Sequence, residues 1–551
     1  MFESLASNLI LHLPLCNGRA ANARSTPEIV NHNVLIGDRY ALFNGRDAYL
    51  AISDCAAMQL AGDDFSIVME VWTNEAYDGV VGDLMSQFDP VRRRGLNLSV
   101  KHHAGAVTSQ TNCRNLHFEI DDATGAQWHD YGQPGSAVAV WALAVHDGQL
   151  FAGTYEQGAD EAGSVFRYEG DQKWARLDPL DGSNTVSALA EFQGELYAAT
   201  RTEDPHGSLL AATSNTRRGG NVFRLNAEHT WTHCGRVCEE DNIFGLSVFN
   251  GHLYAWPAYA KGVYRYEGGQ KWMRIESPDS RLFALAAYHG SLYATANRLA
   301  RLDPNAIHAG PNGDPTVQAV VGTDGAFRLE HDGTWIGCGN QAEETQIYSI
   351  GIHTGQMYAG TWPSGKVFRY DGDRSWSDCG RLGEENEIMG LAIFNGMLYA
   401  GGLPTASIYR YDGDQDWAHI GQVDKTPNVP LRRAINMAVY QGRLCVGTLP
   451  AGRVRAMEIG QVASHDTTFP TGWHNIVAIR RNDTLFLYLD NELVAQSRPA
   501  ATPLNLNCDA PLRIGFGRHD YFNGRMRDLR IYGRALSVGE IDHLSKVTHV
   551  T

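Results

Sequence analysis

The sequence predicts an all-β protein, a seven-bladed β-propeller inserted into a β-sandwich, on three observations. A hairpin unit recurs seven times through the middle of the chain, an aromatic strand pair follows six of these hairpins, and alternating apolar runs stand before and after the array. The composition agrees: 551 residues hold 58 Gly, 20 Pro, 12 Trp, 23 Tyr and 19 Phe, the profile of many short strands joined by tight turns.

The hairpins are ALAVHDGQLFAGT, ALAEFQGELYAAT, GLSVFNGHLYAWP, ALAAYHGSLYATA, SIGIHTGQMYAGT, GLAIFNGMLYAGG and NMAVYQGRLCVGT. Each joins two alternating runs through a glycine (Gly148, Gly194, Gly251, Gly290, Gly355, Gly396, Gly442), because a short hairpin turn needs φ > 0 at a central residue. Small residues align at alternate positions of the first run, Ala142 and Ala144 or Gly245 and Ser247. They suit an innermost strand around a narrow central channel. The second pairs, such as VFRYEGDQKWARL and VFRYDGDRSWSDCG, bring each unit to four strands, which is a propeller blade.

The seventh hairpin is followed by RVRAMEIG and no tryptophan strand. Upstream, LHFEIDDATGAQWHDYG contains Trp128 and resembles the missing outer strand, so the ring is predicted to close by joining chain from both ends, which removes exposed edges. The YDGD turns leading to Trp376 and Trp417 resemble the Asp-box turns of sialidase-like propellers and read as structural. Cys234, Cys338 and Cys379 share one repeat position, so they read as small apolar residues rather than disulfides; no Cys/His set has zinc spacing.

The flanks carry LILHLPL, ALFNGRDAYLAI and FSIVMEVWTN before the array, and GWHNIVAIRRNDTLFLYLDNELVA, LRIGFG and YFNGRMRDLRIYGRALSVGEI after it. These segments resemble the opening and closing strands of a laminin-G-like, concanavalin A-like jelly roll. The expected layout is residues 1–115 and 462–551 as the two parts of that domain, around a propeller of 116–461. The resemblance implies a module that binds sugars or proteins, and in some members a structural calcium. Asp47 is the candidate metal-facing carboxylate, with a turn role the favoured reading; no cofactor is required.

A net charge of −16 disfavours nucleic acid as a partner, and the longest apolar stretches are strand-sized, so no membrane insertion is expected. The first residues lack a basic segment and a cleavage site. A native Met1 implies the cytoplasm, and an added one leaves secretion or the periplasm open. Nothing in the sequence sets the oligomeric state.

Propeller sites lie where loops enter the innermost strand and leave the second. Entry positions include Asn242, Arg281, Gln346, Glu387 and Arg433, with Arg432 adjacent. Exit positions include Tyr155, Arg201, Asn297 and Trp362, with Trp256, Tyr259 and Arg298 beside them. The arginines predict a positive funnel suited to carboxylate or sulfate, and Trp256 and Trp362 offer faces for stacking on sugar rings. Long exit loops carry His206 and His308. Arg or Asn to neutralise a carboxylate, His or Tyr to take a C5 proton and Tyr to protonate the leaving oxygen are the parts of uronate β-elimination, so Tyr155, Tyr259, Tyr348, His206 and His308 are the catalytic candidates. In blade number and mouth chemistry this resembles the ulvan-type polysaccharide lyases, and it implies an acidic polysaccharide as the partner. The alternatives are a non-catalytic lectin or protein scaffold, and a propeller glycosidase using carboxylates among Glu387, Glu156, Glu203 and Asp204. Tyr348 aligns with Trp141, Phe244 and Phe283, a packing position.

Overall fold

The computed structural model describes residues 8–17, 22–23, 28–53, 59–74, 81–102, 108–158, 161–203, 213–299, 320–341, 344 and 346–548. Both ends of the chain build one sandwich. In its nine-stranded sheet the run FSIVMEVWT (Phe65–Thr73) lies between two strands from the far end, Asn523–Tyr532 and Gly472–Arg481. Alternation explains its two buried faces. Ile67, Met69 and Val71 enter the core with Phe43, Phe118, Leu487 and Ile531, while Val68 meets Leu536, Ile541 and Leu544 beneath the helix Val538–Thr548. Ser537 caps that helix, and Glu540 returns to accept the Ser537 backbone N–H at 2.9 Å.

The second sheet has seven strands, ordered Glu28–His32, Tyr49–Ser53, Leu512–Ile514, Gly82–Asp89, Arg94–Lys101, Asn115–Asp122 and Gln461–His465. Asn115–Asp122 therefore belongs to the sandwich, with Phe118 opposite both Leu98 and Ala463. Of the LHFEIDDATGAQWHDYG segment the end from Gln127 onward enters the propeller, Gln127–Asp130 as a strand. There Trp128 pairs with Met457 at the outer edge of the last hairpin's sheet, as the missing strand requires.

The propeller contains five separate four-stranded blades and one eight-stranded sheet spanning 139–236. The repeated tryptophans stitch neighbouring outer strands. Trp272, Trp376 and Trp417 donate their indole N–H to the carbonyls of Cys234, Cys338 and Cys379 at 2.9, 2.9 and 2.8 Å. The glycine after each of these cysteines follows from the same contact: Gly339 has φ +83°, and a Cβ there would lie 2.2 Å from the Arg374 carbonyl in the next blade. The described cysteines are all free.

The central channel is filled. Thr108–Asn112, from the connection between the paired sandwich strands Arg94–Lys101 and Asn115–Asp122, is buried along the innermost strands of successive hairpins. Leu246 N–H donates to the Thr108 carbonyl (2.9 Å), Gln110 N–H to the Leu189 carbonyl (3.0 Å) and Val145 N–H to the Thr111 carbonyl (2.8 Å). Asn112 both donates to and accepts from the Val439 backbone at 2.9 Å. An innermost strand leaves one edge of N–H and C=O groups unpaired, and this plug satisfies part of that edge. The sandwich meets the hairpin turns at the same end: Gly148 N–H donates to the Asp466 carbonyl (3.1 Å), Gly355 N–H to the His519 carbonyl (3.1 Å), and Arg518 Nε to the Gly396 carbonyl (2.8 Å). The opposite end, where loops enter the innermost strands, is the mouth.

Candidate functional site

Trp141, Phe244, Phe283, Met389 and Ile435, from the start of successive innermost strands, form one buried cluster with Tyr348 against it. Phe283 meets Phe244 edge-on at 5.5 Å and Tyr348 at 4.6 Å. These rings make a floor, and the Trp141 carbonyl behind it accepts hydrogen bonds from Thr108 and Asn436. With the plug behind the rings, the mouth is a blind cup rather than the entrance of a channel.

Charged groups stand on this floor. Arg281 lies 4.3 Å from the Phe283 ring and 4.9 Å from the Tyr259 ring, and its guanidinium makes no ion pair among the described residues. Burial pulls its pKa below the ordinary arginine value. Arg201 is buried, donates to the Tyr259 hydroxyl at 3.3 Å and pairs with Glu203 at 2.8 Å. Burial opposes its charge, but Glu203, Tyr259 and Glu240 together hold its pKa above the usual value. Glu240 accepts the backbone N–H of Tyr259 at 2.9 Å and of Ala260 at 2.6 Å, and burial raises its pKa. Tyr348 is pushed up by burial and then by Glu387, against the opposing charges of Arg281 and Arg433.

The predicted residues separate into three groups. Arg201, Arg281, Arg433, Tyr259, Tyr348 and Glu387 come together around the floor; Gln346 and Asn242 sit at strand starts beside them, Gln346 opposite Trp362 and Asn242 bridged to Arg201. His206 and His308 lie outside the described residues, as do the side chains of Asn297 and Arg298, whose strand Ser291–Leu299 pairs Asn297 with Arg281. The rest are corrected. Arg432 turns to the Thr426 carbonyl at 2.8 Å and is spent on a loop. Trp256 is 1% exposed with its indole lying over Gly245, where a Cβ would come within 2.0 Å of the ring, so it offers no stacking face. Tyr155 is fully buried in the same cluster and Tyr348 packs on Phe283, so neither hydroxyl belongs to a free proton-transfer group. Among the described residues the positive funnel is also corrected, because Glu203, Glu240 and Glu387 stand among Arg201, Arg281 and Arg433 and balance them in number. Tyr259, 38% exposed, is the candidate hydroxyl the cup presents.

Asp47 accepts the side-chain amides of Asn44 at 2.7 Å and Asn33 at 3.0 Å, one on each oxygen. That donor set serves a turn and does not fit a calcium ligand. No group of three His, Cys, Asp or Glu able to hold a metal occurs among the described residues. Sequence reasoning missed the plug and the aromatic floor as a unit; the shared position of Trp141, Phe244, Phe283 and Tyr348 was the available signal.

Comparison with known proteins bears on the fold. Residues 441–542 match the family model of the concanavalin A-like lectin/glucanases superfamily. No curated protein matches the chain. Among solved structures, the chain is similar to a streptogramin B lyase (10% identity, TM-score 0.45, covering 61% of this chain and 98% of that one). It is similar to virginiamycin B lyase from Staphylococcus aureus (10% identity, TM-score 0.43, 61% and 99%). It is also similar to a protein of unknown function from Bacteroides thetaiotaomicron (9% identity, TM-score 0.35, 80% and 99%). The sheets of the chain and the family match together give an all-β protein with a β-propeller and a concanavalin A-like domain.

Proposed function

We propose that the cup binds a carboxylate-bearing sugar unit and acts on an acidic polysaccharide by β-elimination. The observation that carries this reading is Arg281, a guanidinium that makes no ion pair among the described residues and is held against the ring of Tyr259, whose hydroxyl accepts from Arg201. In this reading Arg281 neutralises the uronate carboxylate and so acidifies C5–H. The Tyr259 hydroxyl first gives its proton to solvent, and its oxygen then takes the C5 proton; the C–H electron pair becomes the C4=C5 double bond, the C4–O bond breaks, and the leaving oxygen takes that proton back from Tyr259 or one from water. We also read the eight-stranded sheet as two blades joined at the single pair Tyr155↔Thr185, which makes the ring seven-fold.

The test is incubation with a panel of uronate polysaccharides, following the ultraviolet absorbance of the unsaturated product. Absorbance that rises with the protein and falls about a hundredfold in Tyr259→Phe supports elimination; a flat trace across the panel removes it. A non-catalytic lectin is the second reading, favoured because Tyr259 is the one candidate hydroxyl exposed among the described catalytic residues. It predicts binding with no product and no effect of Tyr259→Phe on reactivity. The glycosidase reading is weakened by Glu203 and Glu240, whose carboxylates are committed to Arg201 and to backbone N–H groups.

A further inference from the structure

A cleft of about 570 Å³ lies on the seam between the sandwich and the propeller, away from the mouth. The sandwich contributes Arg46 and Tyr521, and the propeller contributes Tyr288, His289, Tyr370 and Arg374. Two of its cations are uncommitted. Arg46 and Arg374 are exposed, and neither side chain has a hydrogen bond or ion pair among the described residues. Other charges at the cleft are already spent: Arg328 pairs with Glu330 at 2.7 Å, Asp371 with Arg369 at 2.8 Å, and Asp47, next to Arg46, with its two asparagines. Asp373 remains beside Arg374 on the rim.

The aromatic groups are held in place before any ligand arrives. Tyr521 stacks flat on Phe516 (4.0 Å, 8°), and His289 stacks on Tyr288 (3.9 Å, 21°). A ladder continues outward from Phe516 to Tyr49 at 5.3 Å and from Tyr49 to His32 at 4.2 Å. Rings fixed in this way contribute contact area at little cost in side-chain entropy. The Nε2 atom of His289 is buried without a partner, a polar group that a ligand hydroxyl would satisfy. Burial, reinforced by Arg46, lowers the His289 pKa to about 4, so the imidazole is neutral at physiological pH and can donate to or accept from a hydroxyl.

We propose that this seam cleft is a second binding site, for a carboxylate-bearing oligosaccharide, with Arg46 and Arg374 meeting its acidic groups, Tyr521 its ring and His289 a hydroxyl. Guanidinium forks match carboxylates and aromatic rings match the C–H faces of sugars, which a polyphosphate chain lacks. The site takes one cation from each domain, so it exists only in the assembled chain.

The full chain carrying Arg281→Gln, which disables the mouth, is titrated with an oligogalacturonate and in parallel with a neutral cello-oligosaccharide and a short polyphosphate. Binding of the oligogalacturonate persists in this variant, with amide-exchange protection over 288–293, 370–374 and 516–522. Adding Arg46→Ala and Arg374→Ala, both exposed and unpartnered, weakens it about tenfold or more. The neutral sugar and the polyphosphate bind at least about tenfold more weakly. Loss of all binding with Arg281→Gln, unchanged affinity in the triple variant, protection elsewhere, or equal binding of either control overturns the proposal. Failure of the mouth reading looks different: Arg281→Gln then leaves the stoichiometry of the wild-type chain unchanged.

Discussion

A guanidinium clamped by Phe283 and Tyr259 costs desolvation energy that no ion pair among the described residues repays, which is why Arg281 stands apart from Arg201 and its partner Glu203. The same reasoning applies to buried acids at the seam. Asp83 accepts the N–H groups of His519 and Asp520 at 2.7 and 3.0 Å, yet burial raises its pKa from 3.8 to about 7. Between those values the folded chain holds a proton that the unfolded chain has released, so stability falls as pH rises and levels off above about 7. Asp83→Asn removes this term. Its stability relative to wild type should climb by on the order of 2 kcal/mol from about pH 5 to pH 8 in denaturant titrations, and a pH-independent difference would refute it.

The repeats give each blade its strands, and two further devices hold the blades to one another. Trp376 reaches back to the Cys338 carbonyl, so Trp376→Phe should lose about 1 kcal/mol in urea unfolding while leaving the strands intact by circular dichroism. The plug matters more per residue. Asn112→Ala strands the Val439 N–H and C=O in a buried site and should cost about 2 kcal/mol or more by the same measurement. The hairpins, the tryptophan strands and the closing strand at Trp128 were readable because each leaves a side-chain pattern of period two with a turn glycine. The plug was not. TSQTN binds mainly through backbone groups and short polar side chains, so it carries no periodicity, and its fit follows from the place of a sandwich connection visible only in three dimensions. The mouth was half readable. Register located Arg201, Arg281 and Arg433, but Glu203 two residues from Arg201 and the collapse of Trp256 onto Gly245 decide charge and exposure, and those depend on packing.

At the scale of the whole molecule the sandwich and propeller are joined by a plug and buried hydrogen bonds, and both sandwich sheets draw strands from the two ends of the chain, so neither end completes a domain alone. A fragment of 116–461 lacks both the plug and the strands that cover the hairpin turns, and should unfold at lower denaturant than the full chain or fail to fold. An equal midpoint would show that the plug contributes nothing. This arrangement closes one end of the ring and leaves the cup at the other, with Arg281 a cation that makes no ion pair among the described residues. Isothermal titration of a uronate oligosaccharide into the wild-type chain and into Arg281→Gln tests that claim most directly. The account predicts that Arg281→Gln loses one binding site, about tenfold or more in affinity, while the wild-type chain keeps it. Identical isotherms for the two proteins, or no uronate binding by either, would contradict it.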